Sequence, residues 1–398
     1  MINSVKNDNN SLNIFKRGDN IMNINSLMDS VGCNVIMITD KYNLRYITGF
    51  RGGEGTALIL RDKGYLLVDS RYTEAAGREV KEKKDAAVSF EVIEFNNAQP
   101  KYKLAAEIIL SLNEAVTIGF EDRSMLCYEL EAGKEGIAAA LREYFPEKKE
   151  AAGEGFISWK PLGDLIERER RIKTPEELKL LRKAEAIGDK AFSDILNILK
   201  PGMTELEVAA ELEYSMKKNG AAGLSFDTIA ASGINSSMPH AIPGTKKLEN
   251  GDFLTMDFGC LYEGYCSDMT RTVVIGKASD EQKKIYNIVL KAQIEAVSGI
   301  RAGLKCIDVD RIARSIIEEA GYGRYFGHGL GHSVGLYIHE SPALNTRDET
   351  VLVEGMIETI EPGIYIPGFG GVRIEDMGAV TKDGYDNFAS SPKELIEI

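Results

Sequence analysis

Histidine is nearly absent from this 398-residue chain, and its few occurrences are bunched. His240, His328, His332 and His339 are the whole set, so the first 239 residues contain none. Cysteine is scarce as well. The five thiols, Cys33, Cys127, Cys260, Cys266 and Cys306, are odd in number and lack C-x2-C spacing, which excludes a disulfide framework and a zinc ribbon and leaves reduced, mostly buried thiols. Positive charge is in deficit: 48 Lys plus Arg against 61 Asp plus Glu gives a net charge of −13, the wrong sign for a phosphate-backbone partner. No apolar run approaches the roughly 20 residues of a membrane span. The Asn-rich opening, MINSVKNDNNSLNIFKRGDN, lacks the apolar core and small-residue cleavage site of a secretory signal. Nucleic acid and membrane are thereby set aside as partners, and the cytoplasm is the expected location. The composition, 43% hydrophobic and 27% charged, is that of a globular protein, with length for two or three domains at roughly 150 residues each.

Residues 1–20 read as a flexible polar leader. Beyond them, CNVIMITDKYNLRYITGF and ALILRDKGYLLVDSRY alternate apolar runs with turn residues and read as strands, while residues 102–112 and 129–143 carry helical spacing. Alternating strands and helices predict an α/β domain over residues 21–165. A charge-dense segment follows, in which Thr174-Pro175-Glu176-Glu177 is a helix start, and it opens a second domain over residues 166–398.

That second domain contains an internal repeat. Gly202 to Gly220 aligns with Gly303 to Gly321, each a turn followed by an amphipathic helix. LENGDFLTMDFG aligns with LVEGMIETIEPG, pairing Gly251 with Gly355, Asp257 with Glu361 and Gly259 with Gly363. His240 aligns with His339, and Asp268 falls near Glu375. The same order of helix, histidine and two strand carboxylates in both halves predicts a duplicated α+β unit with the site between its halves.

Two hairpins concentrate acid in that unit. A turn around Tyr262 and Glu263 would set Asp257 opposite Asp268, and a turn at Pro367-Gly368 would set Glu361 opposite Glu375. Like charges opposed on a sheet are destabilising unless a proton or cation lies between them. FGHGLGHSVGLYIHE supplies an imidazole, and its glycines at 327, 329, 331 and 335 argue against a helix carrying His328 and His332 as paired ligands. Four carboxylates with one imidazole, His332, form a hard, oxygen-rich set suited to two divalent ions such as Mn2+, Co2+, Fe2+ or Zn2+. Two such ions about 3.5–4 Å apart would activate a water for hydrolysis near neutral pH. His240 and His339 read as substrate-side groups. For His328 a substrate contact and a loop role both stand, and Arg373, two residues before Glu375, would pair with the acidic cluster or with a substrate carboxylate.

The segments RIKTPEELKLLRKA, SMPHA, MDFGCLYEGYCSDMTRT, GHGLGHSVGLYIHE and TIEPGIYIPGFGGVRIED together resemble the proline-specific metallopeptidases of the M24 family, Xaa-Pro aminopeptidase (aminopeptidase P) and Xaa-Pro dipeptidase (prolidase). The resemblance extends to CNVIMITDKYNLRYITGF, which looks like the start of their creatinase-type N-terminal domain. It implies a creatinase-type α/β domain followed by an α+β pita-bread catalytic domain with a pseudo-two-fold duplication, and commonly a homodimer. It further implies that Asp257 binds one metal, that Asp268 and Glu375 bridge both, and that His332 and Glu361 bind the other. Mn2+ is the expected ion, with Co2+ or Zn2+ as alternatives. Glu361 would be the acid/base, His240 and His339 would orient the substrate carbonyl as catalytic groups, and His328 and Arg373 would contact substrate. All five ligand positions are filled, which disfavours creatinases and non-catalytic peptide-binding relatives. Methionine aminopeptidases usually lack the N-terminal domain.

The expected substrates are short peptides with proline second, whose tertiary amide offers no N–H to an ordinary peptidase. A dipeptidase must also hold the free carboxylate after the proline. The segment after His339 reads Glu-Ser-Pro-Ala-Leu, with Arg347 the first arginine, so the sequence favours aminopeptidase, with Xaa-Pro dipeptidase as the alternative.

Overall fold

The computed structural model describes residues 22–84, 86–148 and 155–398, so the polar leader, residues 1–20, lies outside it. The chain divides into two compact units, with the break between Glu169 and Arg170. Of the five cysteines only Cys127 is exposed and all are free. Among the described residues no helix is long and apolar enough to cross a membrane.

The first unit runs α1 (Ile24–Val31), β1 (Val35–Ile38), α2 (Lys41–Thr48), β2 (Thr56–Ile59), β3 (Lys63–Val68), α3 (Thr73–Glu82), β4 (Ser89–Glu94), α4 (Lys101–Leu110), β5 (Val116–Phe120), α5 (Cys127–Tyr144) and β6 (Ile157–Pro161), and α6 (Leu165–Arg171) follows across the break. Its sheet has the order β4-β3-β2-β1-β5-β6. The β1–β2 and β2–β3 pairs are antiparallel, and β3–β4, β1–β5 and β5–β6 are parallel. Burial on both faces explains the near-continuous apolar runs VIMI and TALI. One expectation fails here. The second apolar run of CNVIMITDKYNLRYITGF is not a strand but α2, because Asp40 accepts from the backbone N–H groups of Tyr42 and Asn43 and Gly49 closes the other end in the left-handed region.

The second unit runs α7 (Pro175–Leu196), α8 (Glu205–Lys218), β7 (Gly223–Leu224), β8 (Ile229–Ser232), β9 (Phe253–Phe258), β10 (Cys260–Tyr262), β11 (Tyr265–Cys266), β12 (Met269–Val274), α9 (Asp280–Gly299), α10 (Cys306–Glu319), β13 (Gly331–Ser333), β14 (Glu340–Leu344), β15 (Ile357–Ile360), β16 (Gly363–Ile366), β17 (Gly370–Arg373), β18 (Asp376–Val380) and β19 (Tyr385–Asn387). Helix α7 starts where its sequence dictates: Thr174 caps it, Glu177 completes the capping box and Pro175 takes the first turn.

The duplication is physical. Gly202 and Gly303 share a left-handed backbone (φ 92° and 90°), as do Gly220 and Gly321 (107° and 86°) and Gly251 and Gly355 (95° and 89°). Backbone hydrogen bonds repeat too: Gly202 N–H to Leu248 O and Gly303 N–H to Leu352 O are both 2.9 Å, and the returns from Leu248 to Met203 and from Leu352 to Leu304 are both 2.8 Å. Each half therefore builds the same turn, helix and hairpin.

Candidate functional site

The two hairpins deliver the acids. Between β10 and β11, the turn residues Glu263 and Gly264 both have positive φ (45° and 78°), the signature of a two-residue type I′ turn. That turn shifts the register by two from the one expected. Asp257 lies opposite Thr270, not Asp268, and Asp268 is its diagonal neighbour on the same face. In the second hairpin the expected register holds, since Ile360 pairs with Asp376 and Gly363 with Arg373. Glu361 and Glu375 thus face each other in the gap between the β15–β18 and β16–β17 ladders. Glu375 N–H donates to Thr270 O at 3.1 Å and joins one hairpin to the other.

Asp268, His332 and Glu375 place one ligand atom each within 4.8 Å of one another. His332 Nδ1 lies 3.2 Å from the Ser333 carbonyl, which can only accept, so Nδ1 carries the proton and Nε2 presents its lone pair. That lone pair faces Asp268 Oδ2 at 3.4 Å and Glu361 Oε1 at 3.6 Å. Asp257 Oδ1 is buried with no hydrogen-bond partner, while Oδ2 accepts from Arg373 Nη2 at 2.5 Å. Acceptors facing acceptors need protons or cations between them. Accordingly, in the metal-free protein burial first, then neighbouring carboxylates, push Asp268 and Glu375 well above the usual carboxylate range. Burial also pushes Glu361 up to about 8 and His332 down to about 4. An oxygen-rich, orphan-bearing set with one neutral imidazole fits divalent ions.

The acids are held by donors on the same strand faces. Thr270 Oγ1 donates to Glu375 Oε2 at 2.7 Å, and Thr359 Oγ1 donates to Glu361 Oε1 at 3.4 Å. Neither was singled out from the sequence, although each lies two positions from a ligand and so on its face. Of the two roles open to Arg373, the structure favours pairing with the cluster. Its buried guanidinium also donates to Thr270 Oγ1, Tyr365 Oη and Pro239 O at 3.0, 2.8 and 3.3 Å.

A cavity of about 820 Å³ opens over the acids, and His240, His328 and His339 all line it. His339 packs edge-on to His332 with ring centroids 4.6 Å apart. His328 Nδ1 donates to Gly329 O at 2.7 Å, leaving Nε2 to accept from Tyr365 Oη at 3.0 Å, and burial followed by the charge of Arg373 holds the ring neutral, with its pKa near about 4. Tyr365, missed in the sequence, links His328 to Arg373. Arg347 lines the same cavity. An Asx turn, in which Asn345 Oδ1 accepts from the N–H groups of Arg347 and Asp348, folds the chain back after β14. Arg347, set aside in the sequence because it does not follow closely after His339, is thus brought to the cavity.

A buried cluster of carboxylates with one imidazole, set between the hairpins of a duplicated α+β unit under an open cavity, defines the metallopeptidase class with a pita-bread fold. The metallopeptidase family M24 matches residues 179–382, and the creatinase/prolidase N-terminal domain matches residues 21–153. A Xaa-Pro dipeptidase of Pyrococcus horikoshii is 40% identical over 95% of this chain and 99% of its own. Among solved structures, a Xaa-Pro dipeptidase from Bacillus anthracis superposes with a TM-score of 0.85 at 41% identity, covering 94% of this chain and 98% of that one. An X-Pro aminopeptidase from Thermotoga maritima superposes with a TM-score of 0.82 at 32% identity, covering 94% and 100%. The chain belongs to metallopeptidase family M24. Membership implies divalent metal ions at the carboxylate–imidazole cluster.

Proposed function

We propose that this protein is a Xaa-Pro dipeptidase whose catalytic domain is residues 166–398. The carrying observation is Arg347: it lines the cavity over the acidic cluster, and its side chain makes no hydrogen bond or ion pair with any described residue. An exposed guanidinium without a protein partner beside a peptide site is suited to the free carboxylate of a C-terminal proline. The dipeptidase names of relatives 40% and 41% identical over nearly the whole chain point the same way. This reading replaces the aminopeptidase expectation. A second reading, aminopeptidase, retains one observation in its favour, a cavity of about 820 Å³ that is roomy for a dipeptide.

Asp257, Asp268, His332, Glu361 and Glu375 would hold two divalent ions, Mn2+ first among the expected ones, and when bound these supply a water acidic enough to attack at neutral pH. Arg373 fixes Asp257, and Thr270 fixes Glu375. Glu361 takes a proton from the attacking water and returns it to the proline nitrogen as the C–N bond breaks, which a tertiary amide nitrogen requires to leave as an amine. His339 and His240 donate to the carbonyl oxygen as charge builds there. His328 lines the wall that receives the pyrrolidine ring.

Kinetics on Gly-Pro and Gly-Pro-Ala with Mn2+ test the proposal. Turnover of the dipeptide is expected to dominate, and Arg347→Met should raise its KM about 10–100-fold, the worth of one charge-assisted hydrogen bond. Cleavage of the tripeptide alone would overturn the dipeptidase reading in favour of aminopeptidase.

A further inference from the structure

The loop Phe326–Leu330 is a conformational liability at the centre of the site. Glycines at 327 and 329 give it freedom, yet it must present His328 to Tyr365 and hand the chain on to His332. Its own backbone offers no regular ladder. Helix α10 supplies what the loop lacks. Asp310, 1% exposed, and Arg314 lie one turn apart and form a bidentate pair, with Nε to Oδ2 at 2.7 Å and Nη2 to Oδ1 at 2.8 Å. From that fixed fork Arg314 donates to Phe326 O at 3.1 Å and to His328 O at 2.7 Å, so that Gly327 is bracketed. Asp310 Oδ1 accepts from Leu330 N–H at 3.1 Å, which brackets Gly329. The guanidinium also stacks over the Phe326 ring at 4.3 Å, and that ring meets His328 edge-on at 5.1 Å. On the far side, Leu330 O accepts from the N–H of Glu361 at 2.8 Å. Every bond in this set lands on the loop or on the pair itself.

We propose that Asp310 and Arg314 are a positioning pair that locks the glycine-rich loop in the conformation where His328 donates from Nδ1 to Gly329 O and accepts at Nε2 from Tyr365. Arg314 reaches the cavity wall, and the pair acts through His328. A lysine at position 314 would keep the charge but lose the fork, because three N–H groups radiating from one nitrogen cannot make the two bonds to Asp310 and the two to the carbonyls.

The chain's four histidines make the test direct. In 15N-histidine-labelled, Zn2+-loaded protein at pH 7, the ring nitrogens of His328, assigned by their loss in His328→Gln, should show a single neutral tautomer protonated at Nδ1. Arg314→Met should convert them to exchange-averaged or mixed tautomers and lower kcat/KM on Gly-Pro about 10²-fold, the cost expected for a misplacement on the order of 1 Å. Arg314→Lys should fall between. Should Arg314→Met fail to fold, Arg314→Lys and Asp310→Asn are read by the same two criteria. Unchanged His328 nitrogens in the folded variants, whether activity falls or not, would overturn the proposal and leave the pair a purely structural contact. The kinetic arm rests on the dipeptidase reading. If the wild type turns over no Xaa-Pro substrate, that reading fails while the nitrogen shifts still decide this one.

Discussion

Metal binding to this site should be strongly coupled to proton release. In the metal-free protein burial pushes Glu361 up to about 8, so it retains its proton at pH 6–7, and burial with neighbouring carboxylates pushes Asp268 and Glu375 well above the usual range. His332, held down near about 4, is already neutral and releases none. Loading the site must therefore expel at least the Glu361 proton, which contributes a factor of ten, about 1.4 kcal/mol, per pH unit. Apparent affinity for Mn2+ should rise at least about 10-fold from pH 6 to pH 7. Isothermal titration calorimetry in buffers of low and high ionisation heat counts the protons directly, and Glu361→Gln should reduce the count by one. The stability of the metal-free protein carries the same signature. A carboxyl at about 8 in the folded chain and 4.5 unfolded stabilises the fold fully below about pH 4.5, and that contribution is lost as pH rises through about 8. Thermal midpoints of chelated protein should accordingly fall from pH 6 to pH 9, and saturating metal should remove the trend. A binding heat independent of buffer, with flat affinity between pH 6 and 7, would refute the reasoning, since the acids would then be ionised without a cation.

Three further outcomes follow from the site. Glu361→Gln keeps the shape of the group but cannot shuttle a proton, so kcat on Gly-Pro should drop about 10²–10⁴-fold while circular dichroism stays native; near-wild-type turnover would remove Glu361 from proton transfer. Thr270→Val deletes the hydroxyl that donates to Glu375 and accepts from Arg373, and metal affinity measured by calorimetry should weaken about 10–100-fold. Glu205, 1% exposed on α8, accepts from Ser232 N–H and Oγ, Asn235 Nδ2 and Gly244 N–H, which bracket the loop carrying His240. Glu205→Gln sets an amide NH2 against one of these donors and should cost about 1–3 kcal/mol, read as a fall in thermal midpoint of about 2–4 °C per kcal/mol.

The acids were legible because duplication printed them twice. Asp257 over Glu361 and Asp268 near Glu375 stand at matching places in two copies of one hairpin, and the paired left-handed glycines show that the copies share backbone as well as pattern. Register was legible only where the turn was. In the second hairpin the three residues between Ile366 and Gly370 centre on Gly368, and the expected pairing holds; in the first, a type I′ turn at Glu263-Gly264 moved Thr270, not Asp268, opposite Asp257. Helix α2 was read as strand because a cap at Asp40 outweighs an apolar run that suits either state. Arg347 does not follow closely after His339 in the sequence, and only the Asx turn at Asn345, which the motif does not show, folds the chain back beside the cavity.

What stayed hidden was the support, and the reason is instructive. Asp310, Arg314 and Glu205 lie on helices α10 and α8, where a charged residue at helical spacing is indistinguishable from a solvated face until the loop it serves is in place. Yet in each half of the duplicated unit the helix that follows its first turn sends a buried acid to a histidine-bearing loop, Glu205 to the His240 loop and Asp310 to the His328 loop, although the repeat itself aligns His240 with His339. The acids occupy different positions on the two helices, so alignment of the repeats does not reveal the shared device. It follows that the metal ligands and the loop anchors need not change together. A relative that lost the ligand set could keep both anchored loops and still bind peptide, whereas one that kept all five ligands but lost Asp310 or Glu205 would load metal and hydrolyse poorly. Metal affinity and kcat/KM measured side by side in Asp310→Asn and in Asp268→Asn separate these two failures, with the first expected to lose turnover while retaining metal and the second to lose both. Loss of metal in Asp310→Asn would join the anchor to the metal centre and defeat the separation.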